Sequence, residues 1–112
     1  MSPLQVLLLL FTIGLEVLGT ISLKLSQGFT KPVPSILVAV GYGFSFYFLA
    51  LLLKQNVPVG IIYAIWSGLG TVAIVVIGVW LWGEKLSLPI IVGIAMVIVG
   101  VMLINLTAPN AH

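Results

Sequence analysis

An all-α membrane protein of four transmembrane helices is what this sequence predicts, and three features carry that prediction. Hydrophobic residues make up 62% of the 112 and charged residues 5%, with a mean hydropathy of +1.37. Soluble domains carry roughly 25% charged residues, and four lysines and two glutamates cannot cover a surface of this size in water. The apolar residues gather into four runs, each near the ~20 residues that cross about 30 Å of hydrocarbon as a helix. The gaps between runs are short and hold nearly all the charge and the helix breakers.

The first run covers residues 3–23. It reads as a retained helix and not a signal peptide, because it lacks a basic start and carries Glu16 where an uninterrupted apolar region would lie. A gap with Gly28, Lys31 and Pro32 precedes the second run, residues 34–53. Lys54 to Pro58 separates it from the third, residues 59–82, and Gly83-Glu84-Lys85 from the fourth, residues 88–106. Such short connections make neighbouring helices antiparallel. Residues 1–112 are therefore expected to form a single four-helix transmembrane domain, up and down, with both termini on one side. Lys24, Lys31 and Lys85 then share one side, and Lys54 lies with the termini. That lysine bias is weak, so insertion in both orientations is expected to compete.

Composition also removes function classes. No cysteine is present, so neither a disulfide framework nor a thiolate metal site is available. All four basic residues are lysines, and without arginine's bidentate phosphate contacts nucleic acid is not an expected partner. No nucleophile–base pair, phosphate loop or metal cluster is legible, so no enzyme chemistry, metal site or bound cofactor is expected. The one histidine, His112, is terminal and expected to fray.

Glu16 is the exceptional residue. It lies within the first run, where an acidic side chain at a helix centre costs about 2.5–3.5 kcal/mol on insertion scales. Such a group belongs inside a helix bundle and is by default functional; the structural alternative is a protonated glutamate bonding a neighbouring helix. Removal from water penalises a carboxylate's charged form and a nearby cation favours it, so proton and cation compete for one group. Release of a proton on arrival of a cationic substrate, and its recovery on departure, is an exchange mechanism. Lys24, about 12 Å along the helix at 1.5 Å per residue, is discounted as its partner.

Leu9, Thr12, Ile13, Gly19 and Thr20 share the helical face of Glu16. Gly19 permits close approach, by a ligand or by ordinary helix packing, and Thr12 and Thr20 can bond their own helix carbonyls or orient the carboxylate. Tyr42, Ser45 and Phe46 form a stripe on the second helix, and Tyr63, Trp66 and Ser67 one on the third. Aromatic faces attract desolvated cations by up to about 2 kcal/mol, although spacing alone favours core packing for these stripes. Trp80 and Trp82 stand where tryptophan anchors at a membrane interface. Gly68 and Gly70 suit a hinge in the third helix. Gly93 and Gly100, seven apart on one face of the fourth, suit a dimer seam or packing within the chain.

Four short-looped helices hardly enclose a gated path for an organic cation. Transporters commonly exchange two inverted halves around a central site, and this chain has no internal repeat to supply the second half. Two copies inserted in opposite orientations, an antiparallel homodimer, would supply it.

Along its whole length the chain resembles the small multidrug resistance family of bacterial inner-membrane transporters. The likeness rests on Glu16-Val17-Leu18-Gly19-Thr20, on Lys24-Leu25-Ser26-Gln27-Gly28-Phe29-Thr30, on Tyr63-Ala64-Ile65-Trp66-Ser67-Gly68-Leu69-Gly70 and on Asn105. The resemblance implies a dual-topology dimer in a bacterial cytoplasmic membrane that exports cations by proton antiport, Glu16 binding proton and substrate alternately. Tyr42, Phe46, Tyr63, Trp66, Leu9, Ile13, Gly19 and Thr20 look like the family's pocket. Gly68 and Gly70 match its third-helix kink, and Gly93 and Gly100 its fourth-helix dimer motif. The family's guanidinium exporters typically carry tryptophan three residues after the glutamate and Trp-Thr-Gly in the third helix. Gly19 and Trp66-Ser67-Gly68 are instead similar to the branch exporting quaternary ammonium and aromatic cations. Thr12 departs from the alanine of well-known drug exporters and is able to bond Glu16 or narrow the substrate range. A guanidinium exporter, a paired non-identical subunit and a non-transporting membrane subunit are the alternative readings.

Overall fold

The computed structural model describes residues 2–107 and consists of α1 (Pro3–Leu25), α2 (Pro32–Leu53), α3 (Val59–Trp82) and α4 (Leu88–Thr107). All four helices are long and apolar enough to cross a membrane, and the described residues contain no strand. His112 lies outside the described residues.

α1 opens in a capping box. Ser2 Oγ accepts the Gln5 N–H at 3.2 Å, Gln5 Oε1 accepts the Ser2 N–H at 3.0 Å, and Pro3 occupies the first helical turn, where its missing donor costs nothing. The helix continues past Lys24 to Leu25, because a lysine is compatible with helix. What ends it is the turn that follows, in which Gln27, Gly28 and Phe29 take φ of 48°, 73° and 65°. Two of these are non-glycine residues in a sparsely occupied region, and Ser26 holds them there. Buried completely, its Oγ donates to the Leu23 carbonyl at 2.7 Å and accepts the Phe29 N–H at 3.1 Å. α2 then starts at Pro32, ahead of the expected residue 34, since a proline in the first turn removes no intrahelical bond.

The chain divides into two compact units, the first ending at Val57 and the second beginning at Pro58. The first is the α1–α2 hairpin. Buried positions Leu9, Thr12, Ile13, Val17, Gly19 and Ser22 of α1, and Val38, Gly41, Ser45 and Leu52 of α2, recur at helical spacing on one face of each helix. Contacts of three kinds join the helices. Ser45 Oγ donates to the Thr12 carbonyl at 3.0 Å in a buried bond, Phe11 and Phe48 meet edge to face at 5.4 Å, and the backbones touch where Gly41 faces Gly19. Gln5 Nε2 also donates to Gln55 Oε1 at 3.2 Å, tying the start of α1 to the turn after α2.

The second unit is the α3–α4 hairpin. α3 is unbroken through residues 67–70, and the Thr71 hydroxyl donates back to the Ser67 carbonyl at 2.7 Å. It closes on Gly83 at φ 62°, with the Glu84 N–H on the Gly78 carbonyl at 3.3 Å, the left-handed stop that glycine favours. The Glu84 carboxylate lies over Gly78, in space a side chain there would fill. α4 packs by Val101, its one buried residue among those described. A Cβ at Gly68 would fall 2.6 Å from Val101 Cγ2 and 3.3 Å from Val97 Cγ1, so Gly68 is a contact that admits a valine. Because β-branched Val101 cannot swing aside, Gly68→Ala is expected to lose about 1–2 kcal/mol by overpacking. Thermal unfolding in detergent checks this, and in a Val101→Ala background the same substitution should cost much less, only the looser Val97 contact remaining.

Candidate substrate and proton site

Glu16 sits half-buried in the middle of α1, where its carboxylate meets the Thr20 hydroxyl and that hydroxyl meets the one of Tyr42. Thr20, one turn later, places Oγ1 3.2 Å from Glu16 Oε1, 3.1 Å from the Glu16 carbonyl and 2.7 Å from the Tyr42 hydroxyl. A threonine carries one proton and can accept as well as donate. With Glu16 ionised, Tyr42 donates to Thr20 and Thr20 to the carboxylate. With Glu16 protonated, the carboxylic acid can donate to Thr20 and Thr20 to Tyr42. The same heavy atoms thus satisfy both states of the acid by reversing their protons.

Gly19 makes this possible. A Cβ there would lie 2.9 Å from Tyr42 Cδ1 and 3.0 Å from Cε1, so the tyrosine ring lies flush on the α1 backbone. Phe46 follows one turn along α2, 57% exposed, with its ring centroid 6.4 Å from that of Tyr42. Leu9 and Ile13 are buried on the α1 face that precedes Glu16.

Of the two roles its spacing allows, Thr12 takes the bond to its own helix. It is completely buried, and its hydroxyl donates to the Leu8 carbonyl at 2.8 Å, while Thr20 is the residue that reaches the acid. Side chains on a helix lean toward its N-terminus, so a threonine finds the carbonyl four residues before it. Thr20 thereby arrives at Glu16 and Thr12 at Leu8. Ser45 is engaged by the backbone, on the Thr12 carbonyl.

In the second hairpin Tyr63 and Trp66 pack edge to face, 6.3 Å between centroids at 73°. Tyr63 remains 65% exposed. Gly68 receives Val101 and Gly70 is buried. Gly93 and Gly100 differ from both: nothing lies within 4 Å of where a side chain would begin on either.

One residue at the site is absent from the sequence expectations. Gly41 meets Gly19 directly, a Cβ on it falling 3.0 Å from Gly19 Cα, Gly19 N and the Leu15 carbonyl. Its signal was the small pair Gly41 and Ser45, four apart on the α2 face, the pattern that lets membrane helices approach closely.

The family model described as Small Multidrug Resistance protein matches residues 4–97. The quaternary ammonium compound-resistance protein QacE of Escherichia coli is 49% identical over 107 residues, covering 95% of this chain and 96% of the relative. QacF of Klebsiella aerogenes, also a quaternary ammonium compound-resistance protein, is 46% identical, covering 87% and 88%. A putative ethidium bromide resistance protein of Escherichia coli is 48% identical, covering 87% and 84%. With four membrane-spanning helices and a family match across most of its length, the chain is a multi-pass protein of the bacterial inner membrane and belongs to the small multidrug resistance family.

Proposed function

We propose that the protein is a proton-coupled antiporter that exports lipophilic or quaternary ammonium cations, with Glu16 binding proton and substrate in alternation. The observation that carries this reading is the half-buried carboxyl within a membrane span, hydrogen-bonded to Thr20, which in turn meets Tyr42. A carboxylate among aromatic and apolar side chains suits a cation that is itself weakly hydrated. In the first hairpin Tyr42 and Phe46 supply aromatic faces for the cation, and Leu9, Thr12, Ile13, Gly19 and Ser45 shape the packing behind the acid; Tyr63 and Trp66 are the aromatic pair that the second hairpin offers. The names of the relatives, resistance to quaternary ammonium compounds and to ethidium bromide, point to the same cations.

The four helices act as one transmembrane domain, two copies of which form an antiparallel dual-topology homodimer with a Glu16 from each. The open side-chain space at Gly93 and Gly100 and the single buried residue of α4 support α4 as the seam. Gly68 and Gly70 serve as the hinge of α3 as the site changes its open side.

The test is uptake of tetraphenylphosphonium into proteoliposomes under an imposed proton gradient, with guanidinium alongside. Accumulation of the phosphonium that collapses with an uncoupler is the expected result. Preferential movement of guanidinium would transfer the protein to the guanidinium branch, and movement of neither cation would overturn homodimeric export.

A further inference from the structure

We propose that Gly41 is a positioning residue, the contact that holds Tyr42 against Thr20 and so completes the hydroxyl pair beside Glu16; the functional meaning of that pair rests on the antiport reading above. Three observations lead there. The α1 and α2 backbones meet at Gly41, where a Cβ would fall 3.0 Å from two backbone atoms of Gly19 and from the Leu15 carbonyl. Backbone atoms cannot rotate away as a side chain can, so a methyl at 41 must push the helices apart. Tyr42 is the next residue, and its ring already touches α1 at Gly19 while its hydroxyl stands 2.7 Å from Thr20 Oγ1. That length is near the O–H···O optimum, and a separation that carries the hydroxyls to about 3.6 Å, or bends the bond below about 120°, loses it. The bond from Thr20 to Glu16, by contrast, lies within α1 and does not depend on helix separation.

Gly41 therefore acts on the site through Tyr42. The Ser45 bond to the Thr12 carbonyl, one turn further along α2, fixes the rotation of α2 about its axis, and Gly41 fixes its distance. Gly43, two residues away, offers the control, because nothing lies within 4 Å of a Cβ built on it.

The experiment compares Gly41→Ala, Gly43→Ala, Thr20→Val and Tyr42→Phe in the full chain in detergent. The NMR shift of the Tyr42 phenol carbon reports whether its hydroxyl is bonded, and titration with tetraphenylphosphonium gives the dissociation constant. Gly41→Ala should move the Tyr42 resonance as Thr20→Val does, whereas Gly43→Ala leaves it in place. Affinity should fall about two- to tenfold in Gly41→Ala, the worth of one hydrogen bond, and Gly41→Ala should cost less than about twofold in a Tyr42→Phe background. An unmoved Tyr42 resonance, or additive losses in the double variant, would overturn the proposal. So would a Gly41→Ala chain that fails to fold beside a folded Gly43→Ala, because the glycine then serves the hairpin and not the site. The resonance is read without transport, so a wild-type protein that moves no cation counts against antiport and leaves the positioning result standing.

Discussion

Glu16→Gln is expected to abolish gradient-driven uptake of tetraphenylphosphonium while leaving the protein folded. Glutamine keeps the length of the side chain and an oxygen able to accept from Thr20, so the contact at 3.2 Å can survive the change. What disappears is the charge and the proton site. Two unit charges ~5 Å apart at an effective dielectric of about 20 attract by about 3 kcal/mol, which is roughly two orders of magnitude in cation affinity. Coupling goes further than affinity, since a group that cannot hold a proton cannot exchange one. Binding by calorimetry and uptake in proteoliposomes should fall together. A Glu16→Gln protein that still accumulates the phosphonium with the gradient would remove the acid from the mechanism.

Gly19→Val should damage both stability and transport. Its Cβ would arrive 2.9–3.3 Å from three ring carbons of Tyr42, and its branch would enlarge the clash. The ring must leave the α1 backbone, taking its hydroxyl from Thr20, and the Gly41 contact with Gly19 cannot persist alongside. Overpacking of this kind costs about 1–3 kcal/mol, and uptake should fall well below what that loss of folded protein explains. Gly14 lies five residues earlier on the same helix, with nothing within 4 Å of a side chain there. Gly14→Ala should therefore stay within about 0.5 kcal/mol of the natural protein. Thermal unfolding in detergent together with phosphonium uptake separates the two, and equal behaviour would mean that the ring contact carries no weight.

Both predictions turn on residues whose types were legible and whose partners were not. Glu16 stood out because an acid within an apolar run has few bland explanations. Gly19 and Thr20 fell on its face by spacing, as did Thr12. Spacing counts a residue four before the acid and one four after it as equal neighbours. Helix chirality does not, and the tilt of Cα–Cβ toward the N-terminus sends Thr12 to Leu8 and Thr20 to Glu16. That distinction was available from elementary geometry. Gly41 was harder, because a glycine announces freedom and not a partner.

What the sequence by itself determined is the set of spans, and it singled out Glu16 as the acid within them. Lipid offers the backbone no hydrogen bonds, so each apolar run must satisfy itself as a helix, and that constraint is readable one segment at a time. Helix ends were less legible, because Pro32 is a start signal and Lys24 is no stop. Only the tertiary structure decided which hydroxyls meet: Tyr42 with Thr20, Ser45 with the Thr12 carbonyl. These pairs depend on the separation and rotation of α2 against α1, set where Gly41 lets two backbones touch. A small pair such as Gly41 and Ser45 signals that α2 can approach a neighbour closely, but which residues it meets there depends on both helices together and is not written along either one.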